Sequence, residues 1–154
     1  CGGRTVASKV AFGGFVPYLT PANCRWCKGS PRHRWKVSFT LAEISKRLRT
    51  SGLSKGSVRE LRKRPNDDLV LIRTSSGRRT VRPRELRRAL GFSKLFSERF
   101  SVVTSGGRAR FEGMGFGHGV GLCQWGAHGQ AQAGRDYRKI LALYYPGVQL
   151  KRLY

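Results

Sequence analysis

The sequence predicts an α+β fold in a single compact domain, residues 1–154, with short mixed or antiparallel strands and several short helices. Strand and helix patterns alternate along the chain without the regular spacing of βαβ units. Hydrophobic residues make up 39% of the 154 residues, which suffices for one core. No internal repeat is visible, and no linker is long enough to divide the domain.

The first third of the chain gives loop, strand and helix signals in order. Glycine and proline punctuate residues 1–34, which predicts short elements first and a loop over 20–34. Apolar and polar residues alternate over 35–39, which predicts a half-buried strand. Thr40 starts a capping-box pattern, so a short helix is predicted over 41–49.

The middle of the chain predicts a hairpin and a second helix. The turn signal Ser75-Ser76-Gly77 separates two short apolar runs, as in a hairpin. Pro83 suits the first position of a helix, and Gly91 suits its end. Strands are predicted at 57–63, 69–73, 79–81 and 100–103, with another beginning at residue 109.

Glycine occupies every second position from residue 113 to residue 121. In an extended strand this spacing leaves one face as bare backbone, which is expected where a ligand or another backbone approaches closely. A helix with a small-residue face should follow, and His118 and Gln124 should converge at its N-terminus, where amides favour polar or anionic ligands. The alternative is a packing ridge with a buried histidine. A nucleotide loop is excluded, because Val120 stands where a GxGxxG pattern needs glycine.

The strongest bulk feature is charge. The chain has 31 Lys and Arg against 8 Asp and Glu, a formal net charge of +23. Such a field predicts an anionic partner, or else a solvated arginine-rich surface. Nucleic acid is the less favoured partner, because no RNP, KH or zinc-finger pattern is present. No apolar run approaches the roughly 20 residues of a transmembrane helix.

The segment from Phe111 to Ala127 resembles the signature of the SpoIID/LytB family (stage II sporulation protein D, amidase enhancer), approximately G-x-G-x-G-H-G-V-G-[ML]-[SC]-Q-x-G-A. Weaker matches stand in the family's order and extend the resemblance over nearly the whole chain. They are Cys1-Gly2-Gly3-Arg4-Thr5, Ser30-Pro31 with Arg34-Trp35, and Tyr144-Tyr145-Pro146-Gly147. The resemblance identifies the chain as the C-terminal portion of such a domain, with the upstream part missing.

What the resemblance implies is an exported protein of the cell envelope or extracellular space, with its signal or anchor upstream. It would act on peptidoglycan glycan strands in sporulation or wall remodelling, as a lytic transglycosylase in its complete form. The alternative is a non-catalytic peptidoglycan-binding module that enhances a cell-wall amidase. The implied partners are glycan strands, a cell-wall amidase and anionic wall polymers.

The resemblance identifies no catalytic residue in this chain. The family's catalytic glutamate, a general acid with a raised pKa, lies upstream of the CGGxT match. None of the eight acidic residues, Glu112 included, stands in a matching context. The residues expected to bind or support substrate are His118, Gln124, Gly117, Gly119 and Gly121.

Aromatic residues offer a second kind of sugar contact. Trp35, Trp125, Tyr144 and Tyr145 would either stack on sugar rings or belong to the core.

The cysteines leave three alternatives open. In an exported protein a Cys1–Cys27 or Cys1–Cys24 disulfide is favoured. A structural zinc site of Cys1, Cys24, Cys27 and His33 is a lesser alternative, since C-x2-C supplies a compact ligand pair. Free thiols are the third. Cys123 is expected to be a small buried thiol, and no cofactor is expected.

Overall fold

The computed structural model describes residues 1–152. Within them the helices are Ser8–Phe12 (α1), Leu41–Thr50 (α2), Pro83–Leu90 (α3), Gln124–Gln132 (α4) and Tyr137–Tyr144 (α5). The strands are Arg34–Thr40 (β1), Val58–Lys63 (β2), Val70–Thr74 (β3), Gly77–Val81 (β4), Phe100–Ser105 (β5) and Arg108–Met114 (β6). The predicted α+β class is confirmed.

The chain forms two compact units. We call Arg34–Met114 the sheet unit, and Cys1–His33 together with the residues from Gly115 onward the cysteine unit. The sheet unit therefore interrupts the cysteine unit along the chain. The sequence did not reveal this division, because no glycine-, proline- or serine-rich linker marks either boundary.

The sheet unit contains two antiparallel three-stranded sheets, ordered β1-β6-β5 and β2-β3-β4. Thr104 links them, since its Oγ1 accepts from the Leu61 backbone N–H at 2.9 Å and donates to the Leu61 carbonyl at 3.0 Å. Seventeen buried hydrophobic residues form one cluster in this unit, with α2 and α3 contributing Ile44, Leu48, Leu86 and Leu90.

Local sequence signals account for the elements of the sheet unit. Trp35 and Phe39 are buried on β1, as their alternation predicts. Thr40 caps α2, with its side chain accepting from the Glu43 N–H at 3.1 Å. Pro83 opens α3, where Glu85 accepts from the Arg82 N–H at 2.7 Å.

The cysteine unit has few regular elements and a small core. A short 3-10 turn, Arg25–Cys27, packs against α4, and α4 contacts α5. The N-terminal segment is fixed by an antiparallel bridge from Arg4 to Asn23 and a parallel bridge from Val6 to Val120. Its buried cluster consists of Ala22, Cys24, Cys27, Cys123, Ile140 and Tyr144.

Over residues 1–152, no helix has both the length and the apolar character required to cross a bilayer.

Candidate functional site

A cavity of about 590 Å³ lies in the cysteine unit. One wall is residues 116–125, which contain the conspicuous glycine pattern and the start of α4. The other wall is the turn at residues 30–32, with Cys1 and Thr5. The predicted site residues Gly117, His118, Gly119, Gly121 and Gln124 therefore all line one cavity. Thr5, Arg32 and Phe116 line it as well and were not singled out from the sequence.

The glycine segment is a loop, and the prediction of a continuous strand is wrong beyond Met114, where β6 ends. Its alternate glycines have positive φ angles of 70° to 81°, at positions 115, 117, 119 and 121. An L-residue in this left-handed region is disfavoured by roughly 1–2 kcal/mol. The glycine period thus comes from a repeated left-handed backbone and not from a bare strand face.

His118 is exposed at the cavity, so the alternative of a buried histidine is wrong. Its Nδ1 accepts a hydrogen bond from the Val120 N–H at 3.0 Å, and its ring lies 5.1 Å from that of Phe12. Because Nδ1 is the acceptor, the neutral ring carries its proton on Nε2. The imidazole is therefore held in one orientation with an N–H available to a ligand.

Gln124 and Trp125 bring an amide and an indole to the start of α4. Both side chains are exposed and line the cavity, with Trp125 44% exposed. Phe116, 59% exposed, adds a second aromatic surface from the glycine loop. The cavity therefore combines flat apolar rings with polar side chains and a helix N-terminus.

The other predicted stacking residues have structural roles. Trp35 is buried in the sheet unit and packs edge-on against Phe96 at 5.6 Å. Tyr144 is fully buried in the cysteine unit, and burial raises the pKa of its phenol. Tyr145 accepts from the Leu122 N–H at 3.2 Å and so fixes the end of the glycine loop. Of the four, Trp125 alone lines the cavity.

The N-terminal segment, residues 1–6, supports the cavity through hydrogen bonds. Thr5 is buried, and its Oγ1 accepts from the Ala22 N–H at 2.7 Å. The Val6 N–H donates to the Gly119 carbonyl at 2.9 Å, which ties this segment to the glycine loop.

None of the residues that line this cavity is acidic. Glu112 forms an ion pair with Lys36 at 2.7 Å across β1 and β6 of the sheet unit. Asp136 caps α5 by accepting from the Lys139 N–H at 2.9 Å, and this hydrogen bond lowers the pKa of its carboxyl. The lining therefore offers polar and aromatic contacts, and the expectation of a catalytic acid elsewhere stays a prediction.

The four cysteines come together beside the cavity. Their Sγ atoms all lie within 4.8 Å of one another, and none of these four described cysteines is in a disulfide bond. Cys1 and Cys27 are 3.4 Å apart, beyond the 2.05 Å of a disulfide bond. Sequence spacing placed His33 with Cys1, Cys24 and Cys27, whereas the structure adds Cys123 to the group. His33 Nδ1 lies 3.6 Å from Cys27 Sγ, at the edge of the cluster.

The thiols of Cys123 and Cys24 influence each other. Hydrogen bonding between them lowers the pKa of Cys123 and raises that of Cys24. The Gly126 N–H in the first turn of α4 also points to Cys123 Sγ, at 3.4 Å, and this contact further favours the Cys123 thiolate.

The predicted small-residue face of α4 packs against this cluster. A side chain at Gly126 would collide with the Cys24 sulfur and the Tyr144 hydroxyl, and one at Gly129 would meet the Trp26 carbonyl oxygen. Glycine at these positions lets α4 approach the Arg25–Cys27 turn closely.

Known proteins are similar in sequence to this chain over most of its length. An uncharacterized protein of Brachyspira hyodysenteriae is 30% identical over 158 residues, covering 97% of this chain and 41% of that protein. Stage II sporulation protein D of Bacillus subtilis is 30% identical over 135 residues, covering 88% of this chain and 38% of that protein. The chain is a SpoIID/LytB relative.

The amidase enhancer of Bacillus subtilis is a shorter match, 39% identical over 66 residues, which cover 43% of this chain and 9% of that protein. No family model matches the chain. The chain spans about two fifths of the length of the first two relatives, 41% and 38% respectively.

Proposed function

We propose that this chain is the glycan-binding part of a SpoIID/LytB-type cell-envelope protein that acts on peptidoglycan strands. The observation that carries the proposal is the cavity lined by the ordered imidazole of His118 on the glycine loop and by Gln124 and Trp125 at the start of α4. The names of the relatives, stage II sporulation protein D and amidase enhancer, support a role at the cell wall in sporulation.

The reaction proposed for the complete protein is lytic transglycosylation. A general acid protonates the glycosidic oxygen while the 6-hydroxyl of the muramic acid closes on its anomeric carbon, and the carboxylate so formed takes the proton of that hydroxyl. The bond therefore breaks without water and the acid is regenerated. The acid needs an apolar site that keeps it protonated near neutral pH. The cavity lining has no carboxyl group, and the family resemblance places this acid upstream of the CGGxT match.

Within this chain the cavity residues bind and orient. Trp125 and Phe116 supply ring surfaces, Gln124 supplies an amide donor and acceptor, and His118 supplies an N–H. Holding the scissile linkage in one position reduces the entropic cost of reaching the transition state.

Charge supports a further set of partners, the anionic polymers of the wall. The chain has 31 basic and 8 acidic residues, and the resulting net charge of +23 attracts such polymers without a specific binding site. Such an attraction weakens as salt rises, whereas aromatic stacking in the cavity does not.

The decisive experiment incubates denuded glycan strands with the longest natural form of the protein and analyses the products by mass spectrometry. Anhydromuramic ends are expected, and Gln124→Ala in the cavity should weaken strand binding by this chain. Binding and amidase stimulation without anhydromuramic products would favour the non-catalytic module instead. If the chain does not bind denuded strands at all, the proposal fails in both forms.

A further inference from the structure

We propose that Cys1, Cys24, Cys27 and Cys123 bind one Zn²⁺ ion through their four thiolates. The site is structural, and the proposal stands independently of the activity on glycan strands. It goes beyond the sequence-based alternatives, because it replaces His33 with Cys123 as the fourth ligand.

The geometry suits a single tetrahedral ion. With Zn–S bonds of about 2.3 Å, the sulfurs of a tetrahedral site lie about 3.8 Å apart. The four Sγ atoms lie within 4.8 Å of one another, and the Cys1 and Cys27 sulfurs are 3.4 Å apart. Shifts of about an ångström or less would therefore bring all four sulfurs into coordination.

Local structure presents each sulfur from a defined backbone. Cys24 and Cys27 are held by the 3-10 turn between them, and the Cys24 N–H donates to the Gly3 carbonyl at 2.8 Å. Cys123 is the N-cap of α4. An ion held by these ligands would cross-link the N-terminal segment, the C-x2-C turn and the start of α4.

Hydrogen-bond donors surround the sulfurs as they do in thiolate metal sites. The Gly126 N–H reaches Cys123 Sγ at 3.4 Å, and the Tyr144 hydroxyl lies 3.0 Å from Cys24 Sγ. His33 Nδ1 lies 3.6 Å from Cys27 Sγ. Outer-shell donors of this kind orient ligands and stabilise their negative charge. His33 fits this supporting position, because its nitrogen contacts one sulfur and lies outside the group of four ligand atoms.

The small core of the cysteine unit would gain stability from such a cross-link. Three of the six residues in its buried cluster are cysteines. Small cores gain independent stability from metals or disulfides, and binding energy at a structural zinc site contributes directly to folding. Four thiols, three of them buried, packed together beside a small core are consistent with this use.

Ligand chemistry and charge favour a thiolate-binding metal such as zinc. Four soft thiolates in a tetrahedral arrangement favour Zn²⁺ or an iron–sulfur cluster over hard, oxygen-preferring ions. A Zn²⁺ ion with four thiolates has a net charge of −2. The cysteine unit has 10 Lys and Arg against one acidic residue, Asp136, so its field stabilises that charge.

The test measures metal and thiols together in the full chain, purified under reducing conditions without chelator. Plasma mass spectrometry should find one zinc per chain. All four thiols should resist alkylation until zinc is removed, and adding Co²⁺ to the zinc-free chain should give the visible absorption of a tetrahedral cobalt–thiolate centre.

Two variants decide the ligand set. Cys123→Ser should abolish the one-to-one zinc content and alter the cobalt spectrum. His33→Ala should keep one zinc per chain and the same spectrum, with an affinity reduced by roughly 10- to 100-fold at most. No matched cysteine control exists, since all four cysteines of the chain lie in the cluster. If Cys123→Ser fails to fold, the number of protected thiols in the unaltered chain, four or three, makes the same distinction.

Several results would overturn the proposal. Loss of zinc binding in His33→Ala with retention in Cys123→Ser would restore the Cys₃His alternative. Intact masses with disulfide bonds and no metal would establish disulfides, bound iron with sulfide would establish a cluster, and four reactive thiols without metal would leave a thiol core. None of these outcomes depends on glycan binding, so the two proposals fail separately.

Discussion

The two units of this chain differ in what holds them together. The sheet unit buries seventeen hydrophobic residues in one cluster beneath regular strands and helices. The buried cluster of the cysteine unit has six residues, and half of them are cysteines. The first unit follows from hydrophobic patterning, whereas the second is built on close backbone packing around its thiols. The unit with the smaller core also contains the cavity lined by the glycine loop.

The largest expected effect is on the core of the sheet unit. Leu48→Ala removes a fully buried side chain from α2 and should lower the free energy of unfolding by about 2–5 kcal/mol. Denaturant unfolding followed by circular dichroism measures it, with and without a zinc chelator. The loss should be the same in both, and a loss that appears only without zinc would contradict the separation of the two sources of stability.

A smaller effect is expected where α4 packs on the thiols. Gly126→Ala places a methyl group against the Cys24 sulfur and the Tyr144 hydroxyl, which should cost about 1–3 kcal/mol of unfolding free energy. Zinc content should fall in the same variant. Gly14→Ala is the control, because a methyl group there meets no atom within 4 Å and the backbone is not left-handed. Equal stability and zinc content in the two variants would show that α4 can move away from Cys24 and Tyr144 without loss.

Removing the Trp125 indole tests whether the cavity of the cysteine unit binds glycan strands. Trp125→Ala should weaken binding to denuded glycan strands by about 0.5–1.5 kcal/mol, roughly 2- to 13-fold, through lost ring contact. Tyr137→Ala removes another exposed aromatic side chain of the cysteine unit, 57% exposed and outside the cavity lining, and should leave affinity unchanged. Calorimetry at two salt concentrations measures both. An equal loss in both variants would point to nonspecific aromatic contact.

The smallest effect concerns the cap of α5. The hydrogen bond from the Lys139 N–H lowers the pKa of Asp136, so its charge adds stability above the usual carboxyl pKa of about 3.9. That contribution is lost as pH falls through the lowered pKa of the folded state. Asp136→Asn keeps a capping oxygen without the charge. In thermal unfolding, the melting temperatures of the two proteins should converge as pH falls from 6 to 2. A difference that stays constant with pH would show that the Asp136 charge does not cause it.

Sequence patterns predicted the sheet unit well because its signals are local. The alternation at Trp35 and Phe39, the Thr40 cap and the Pro83 helix start each depend on neighbouring residues, and the structure has all of them. The division into two units was not predictable in this way, because both of its boundaries fall at the ends of the β1–β6 pair without any linker.

The cysteine unit was harder to predict because its features depend on contacts between residues far apart in sequence or on the sign of the backbone φ angle. The glycine period at 115–121 fits a strand as well as a loop until the φ angles are known, and only the φ angles exclude the strand. Cys123 joins Cys1 across 122 positions, a distance that spacing rules for metal ligands do not cover. The family signature nevertheless contains all five of the predicted site residues that line the cavity, because a sequence signature does not depend on the backbone conformation of its residues.

The most direct test of the two-unit account is hydrogen exchange of the zinc-loaded and zinc-depleted chain, resolved by peptide mass spectrometry. The account predicts that zinc slows exchange in peptides from residues 1–33 and from 115 onward, most strongly around Cys24, Cys27 and the first turn of α4. Amides of the six strands in residues 34–114 should exchange equally in both states. Zinc-dependent protection spread evenly over the strands, or no zinc-dependent protection in the cysteine unit, would contradict it.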